Sequence, residues 1–297
     1  MELIKLESQT VDGTLVSATF CTDKGMNLVS LKFGPHELMD QTTSILFNQR
    51  AAGLGALIGP HFHHRKDKDI IIPKDPFLFP HLELLREKNI KEPFSHGIAR
   101  YVPWDIKRKE KNGVEAQLSS QTKWQGVSFG ELEGMDFEMT FKAFFNGTGL
   151  LIDYSIISQK PSVIGFHYYY ALHKEGPNII ESQVKDRYVD GGETKKIPES
   201  FGYNPGNHNL NFNLINNADY NFKPFSKFNF KSTIGSVKLK RPDYTLKVDY
   251  TCPSEESSWQ LYHPKGAMFA CIEPLSAIDP RKPKRNISGL ALHISLV

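Results

Sequence analysis

Four places in the sequence set titratable side chains among apolar or glycine-rich neighbours. Glu273 closes the run Met268–Ile272 and stands directly before Pro274. His167 lies inside "VIGFHYYYAL", and His96 and Arg100 flank Gly97 in "FSHGIARYVPWDI". His61, His63, His64 and Arg65 end the segment "GLGALIGPHFHHRK". A carboxylate that leaves water without a partner costs several kcal/mol, so Glu273 at the end of an apolar strand needs a reason to be there. A histidine and a carboxylate on separate strands can face one another across a groove, one removing a proton while the other supplies one. Arginines and further histidines would then hold a polyhydroxylated ligand. Tyr168, Tyr169, Tyr170 and Trp104 could offer it aromatic faces. Taken singly, each residue also has a plain structural reading: a hydrogen-bonded core histidine, or a solvated glutamate at a strand end.

Other chemistries fit the same stretches poorly. His61 and His63 would share a strand face, but no Cys or carboxylate stands beside them in the sequence to complete a metal set. "GLGALIG" lacks the Lys-Ser/Thr of a phosphate loop and no helix pattern follows it, so nucleotide binding is not expected. "RKPKR", Arg281 to Arg285, reads as an exposed basic loop. The net charge of +3 is too small to argue for nucleic acid or a membrane surface. No apolar run approaches the ~20 residues of a transmembrane helix. "MELIKLESQT" has no signal-peptide pattern, and three widely spaced cysteines suggest buried thiols in a reducing compartment, so a cytoplasmic protein is expected. No cofactor is called for.

The elements that must position these residues are strands. In "DFEMTFKAFF", Phe137, Met139, Phe141, Ala143 and Phe145 fall on one face, with Glu138, Thr140 and Lys142 on the other. "NGTG" and then "LLIDYSIIS" complete a hairpin pattern. More than ten such segments run from one end of the chain to the other. Only Pro80 to Ile90 has the spacing of a short amphipathic helix. At 297 residues, 39% hydrophobic and 23% charged, with no linker, the chain is expected to form one all-β domain over 1–297, a large antiparallel β-sandwich. Gly191 to Phe222 reads as loops over that sandwich, and long loops in a compact domain are often functional.

The ordered set of segments resembles the aldose 1-epimerase (galactose mutarotase-like) superfamily. "KGMNLVSLKFGPHELM", "FSHGIARYVPWDI", "GFHYYYAL", "DRYVDGGE" and "CIEPLSAI" follow the family's order and span nearly the whole chain. The resemblance implies the family's supersandwich fold, with His167 as general acid and Glu273 as general base. It places His96, Arg65, Arg100 and Asp190 around the sugar. "HFHHR" around Arg65 and "FHYYY" after His167 depart from the usual family sequence. The substrate implied is a sugar or sugar phosphate, turned over without metal or cofactor. Two alternatives accompany this: a hexose-6-phosphate 1-epimerase with Arg65 and Arg100 on the phosphate, and a non-catalytic carbohydrate-binding protein. Unperturbed acid constants of about 4.3 and 6.5 would bound a narrow activity window, with the histidine raised by its carboxylate neighbour.

Overall fold

Period-2 burial builds the molecule. Phe137–Phe145 and Leu150–Ser158 alternate buried and outward residues and pair from Phe137↔Ser158 to Phe145↔Leu150, so the Asn-Gly hairpin forms in the expected register. In a computed structural model, residues 1–62, 79, 82–83, 87, 94–124, 126–225 and 231–297 are described. Every named ladder among them is antiparallel, and the strands form the expected β-sandwich.

One layer runs Leu3–Gln9, Leu15–Cys21, Asn27–Phe33, Gly55–Ile58, Gly165–Ala171, Phe269–Leu275, Ser258–His263 and Ala218–Pro224. The other runs Asp105–Lys109, Gly113–Ser119, Phe137–Phe145, Leu150–Ser158, Ile287–Leu296, Thr245–Cys252 and Thr233–Lys240. Strand Ile179–Asp190 belongs to both. Its first half pairs with Thr233–Lys240 and Asn209–Asn213, and its second half with Ala218–Pro224. The register slips between Val184 and Tyr188, a bulge at the corner where the strand changes layers.

Apolar faces of the two layers close on one large core that includes Phe141, Tyr154, Phe166, Tyr168, Tyr170, Leu261 and Ile272. Phe166 meets Tyr154 of the opposite layer at a ring-centroid distance of 5.8 Å. Neighbours of these residues in sequence therefore point away from the core, and His167, Tyr169, Cys271 and Glu273 are such neighbours.

Two expectations change here. Gly191 to Phe222 is not a run of loops: Glu193–Lys196, Tyr203–Asn204, Asn209–Asn213 and Ala218–Pro224 are strands. Its Asn-rich composition hid an alternation in which Leu210 and Phe212 are buried. Of the helix expected over Pro80–Ile90, Leu82, Glu83 and Glu87 are helical, and the rest lies outside the described residues. Among the described residues no helix is long and apolar enough to cross a membrane.

Candidate active site

The site is assembled by strand register. Gly165 pairs with Leu275 and Tyr168 with Ile272, a constant register that sets His167 opposite Glu273. On its other side His167 pairs with Ala56, and Glu273 pairs with Gln260, whose strand pairs Gln260 with Asn221. One row across the sheet thus reads Ala56, His167, Glu273, Gln260, Asn221. The next row on the same face carries Tyr169, Cys271, Tyr262 and Asp219, through the pairs Tyr169↔Cys271, Cys271↔Tyr262 and Tyr262↔Asp219. Pro274 has no N–H for the ladder, and the pairing with the histidine strand is interrupted beside it.

His167 Nε2 lies 3.3 Å from Glu273 Oε1. Both side chains are buried and both line a cavity of 270 Å³ with Phe62, His96, Tyr169, Gln260 and Arg281. Tyr169 stacks on the His167 ring at 4.9 Å, and the His96 ring lies 5.3 Å from it. His96 is held on a tight turn. Its φ is 64°, its N–H donates to the Phe62 carbonyl, and its own carbonyl accepts from the Gly59 N–H. Histidine is among the residue types enriched in left-handed backbone, where a strained position often marks a site.

Burial sets the protonation of the pair. It pushes the His167 value down to about 3, with the Arg100 charge adding to the effect. It pushes the Glu273 carboxyl well above the usual carboxylate range, with the Asp219 charge adding and Arg100 opposing. The expectation of a histidine raised by its carboxylate is therefore reversed. A carboxylate can raise a histidine only while it is ionised, and this one is kept neutral by the same burial. The pair holds one proton between a neutral imidazole and a neutral carboxyl.

Cys271 brings its sulfur near the pair: ligand atoms of His167, Cys271 and Glu273 lie within 4.8 Å of one another. Burial, then the Glu273 charge, pushes the thiol far above its ordinary range. The thiol, carboxyl and imidazole are thus all favoured in their neutral forms.

The structure brings His96, His167 and Glu273 to one cavity and leaves other candidates apart. Arg100 is buried on the turn Ile98–Arg100 and its guanidinium donates to the Tyr101 hydroxyl at 2.9 Å. It does not line the cavity, although its charge acts on both partners there. Asp190 pairs in the sheet with Tyr220, one residue out of step with Asp219 and Asn221, so it faces the opposite side. There its carboxylate binds Lys195 at 2.8 Å. Arg65 lies outside the described residues, as do His63 and His64. His61 contacts the Glu133 carboxylate and the Phe94 carbonyl, so a carboxylate distant in sequence does reach it. Tyr168, Tyr170 and Trp104 face the core, leaving Tyr169 as the aromatic floor.

No family model matches the chain, and no curated protein matches it in sequence. Solved structures match it along its length. A galactose mutarotase-like protein from Lactobacillus casei ATCC 334 is 14% identical with a TM-score of 0.67, covering 100% of both chains. The GalM/aldose epimerase homologue from C. elegans is 14% identical with a TM-score of 0.67, again covering 100% of both. A galactose mutarotase-like protein from Clostridium acetobutylicum is 15% identical with a TM-score of 0.66, covering 100% of this chain and 99% of that one.

The chain has the galactose mutarotase-like fold.

Within the galactose mutarotase-like fold, the lining residues without a sequence signal are Phe62, Asp219, Gln260 and Tyr262, and Arg281 lines it too. Gln260 and Tyr262 sit on the recognisable strand "SWQLYH", but a glutamine and a tyrosine facing outward carry no signal of their own. Only the pairing of that strand with Phe269–Leu275 shows that they flank Glu273 and Cys271. Arg281 begins "RKPKR" and is exposed as expected, yet it stands at the mouth of the cavity.

Proposed function

We propose that this protein is an aldose 1-epimerase that interconverts the α and β anomers of a reducing sugar, with His167 and Glu273 as the proton carriers. The observation that carries the proposal is the buried imidazole–carboxyl pair, 3.3 Å apart, at the wall of a sugar-sized polar cavity. The distant structural relatives named for galactose mutarotase and aldose epimerase support the same reading. The whole chain, 1–297, acts as one domain in this proposal, in the cytoplasm, on a small-molecule sugar and without a cofactor.

The chemistry needs two proton positions. One partner takes the proton of the anomeric hydroxyl while the other gives a proton to the ring oxygen, and the C1–O5 bond breaks. The open aldehyde turns about C1–C2, and the C5 hydroxyl closes on the other face with both transfers reversed. The pair ends with the single proton it began with. The family resemblance gives the acid role to His167 and the base role to Glu273, whereas burial favours the proton on Glu273 in the empty cavity. The two arrangements are microstates of one coupled pair, and the measured acid constants belong to the pair. In this reading His96, Gln260 and Tyr262, which line the cavity, orient sugar hydroxyls, and Tyr169 lies against the ring.

Polarimetry on freshly dissolved α-glucose, α-galactose and their 6-phosphates tests the proposal. Accelerated mutarotation of at least one is expected. Binding without acceleration would make the protein a carbohydrate-binding module, and activity confined to the phosphates would place it among hexose-6-phosphate 1-epimerases.

The pH profile follows from the shifts. The productive pair holds one proton. With the His167 value at about 3, a second proton is lost as pH rises through that region, so kcat/KM rises there and then levels. It falls only where Glu273 finally ionises, well above the usual carboxylate range. A fall that begins above the ordinary carboxylate range is expected. A fall centred at the free carboxylate value of about 4.3 would show that burial does not control the pair.

A further inference from the structure

A second cavity, of 440 Å³, continues from the first: Phe62, Asp219, Gln260 and Arg281 line both. Its walls are basic. Lys185, Arg187, Lys223, Arg281 and Lys282 line it, against Asp186, Asp219 and Asp279. Among the described residues none of these five cations makes an ion pair. Lys223 is held below the ordinary lysine range by burial and then by the charges of Lys185 and Lys284. The five cations outnumber the three carboxylates, and an excess of like charge in one cavity favours an anionic ligand.

The backbone explains how they gather. Between Val184 and Tyr188 the long strand advances four residues while its partner advances two, from Pro224 to Phe222. The surplus residues of this bulge, Lys185 to Arg187, are thrown out opposite Lys223 at the corner between the layers. Bulges of this kind re-aim side chains beside sites. Lys223 shares its strand face with Asn221 and Asp219, the face that carries the proton pair. Asn221 also lines the cavity, buried, and its Oδ1 has no hydrogen-bond partner while its Nδ2 donates to Ser258.

We propose that this cavity is a subsite for an acidic sugar residue joined to the sugar whose anomeric carbon lies at His167 and Glu273. The inference rests on the proposed epimerase activity for the placing of the reducing end. Size favours a ring over a lone phosphate, because the second cavity (440 Å³) is larger than the one that takes the reacting sugar (270 Å³). Charge favours a carboxylate or sulfate on that ring. The reacting residue must keep its anomeric hydroxyl free, so the acidic residue lies on its non-reducing side. Such substrates arise where a glycosidic bond of an acidic glycan is cleaved, a reaction that releases a new reducing end.

The test is calorimetric binding of glucuronyl-glucose disaccharides, the matching glucosyl-glucose disaccharides and glucose 6-phosphate. Wild type, the double variant Lys185→Gln/Lys223→Gln and the loop variant Arg281→Gln are compared. In wild type the acidic disaccharide is expected to bind about 10-fold or more tighter than its neutral counterpart, the scale of one charge-assisted hydrogen bond. That preference should shrink towards unity in the double variant, shrink in Arg281→Gln, and weaken with added salt. Equal binding of the acidic and neutral disaccharides would overturn the subsite. So would glucose 6-phosphate binding as tightly as the acidic disaccharide, or a preference that survives in both variants. Binding is read without turnover, so the two proposals fail separately. A preference without epimerisation sinks the activity alone, and epimerisation without the preference sinks the subsite alone.

Discussion

Replacing His167 by Asn, or Glu273 by Gln, leaves a folded protein whose anomer interconversion is slower than wild type by about 10²-fold or more. Each change keeps the shape of the side chain and removes its part in proton transfer, and a positioned acid or base supplies roughly 10²–10⁴-fold. The two groups pass one proton between them, so the double variant should be little worse than either single one. A second readout separates chemistry from damage. Glu273 has a folded acid constant above its unfolded one, so its contribution to stability is present below the unfolded value and is lost as pH rises through the folded value. Glu273→Gln removes that loss, and the variant should melt above wild type at pH 7 to 8 while losing activity. Near-normal turnover in either folded variant would remove the pair from the mechanism. A melting point below wild type across that pH range would contradict the neutral, buried carboxyl.

Gly97→Ala is expected to cost roughly 3 kcal/mol of stability or more, and to take activity with it. Gly97 has φ 88° and ψ 165°, a combination close to the region that only glycine enters readily. A Cβ there would stand 2.0 Å from the Gly59 carbonyl oxygen and 2.2 Å from its carbon. Both are backbone atoms, and Gly59 is itself bonded to the His96 carbonyl through its N–H and to the Ala99 N–H through its oxygen. The clash cannot be relieved by turning a side chain, so it must displace the turn that carries His96. Gly126 is the control: its φ is 85° but an added Cβ meets nothing within 4 Å, so Gly126→Ala should show only the backbone term of about 1 kcal/mol. Urea denaturation of the two variants measures the difference. Equal losses would mean that the close approach of Gly97 to Gly59 contributes nothing.

Much of this could be read from the residues because strands write their faces into the sequence. The hairpin at Asn146–Gly149 follows from period-2 alternation alone, whereas the strands of His167 and Glu273 are buried along both faces, so their direction away from the core is read only from the structure. That the two face each other needed the register between strands about a hundred residues apart, which local patterns do not carry; only the family resemblance pointed to it. The same parity rule explains Asp190. The segment "DRYVDGGE" fixes the spacing of Asp190 from Tyr188, but whether its aspartate faces the cavity depends on how the bulge at Lys185–Arg187 shifts the strand. Arg100 shows a different limit. The resemblance implies that Arg100 lines the sugar site, but it does not line the cavity: its guanidinium is turned onto Tyr101, and its charge acts on His167 and Glu273. Asp219, Gln260 and Tyr262 had no sequence signal, since polar residues on the outward face of a strand are what solvent exposure also produces.

The most direct measurement is proton exchange spectroscopy of an equilibrated reducing sugar in D₂O, following the two H1 signals. Transfer between oxygens through His167 and Glu273 breaks no C–H bond. The expected result is α–β exchange well above the buffer rate, with full proton intensity retained at C1 and C2, and its loss in Glu273→Gln. Exchange no faster than buffer, or deuterium appearing at C2, would contradict a ring-opening epimerase run by this pair.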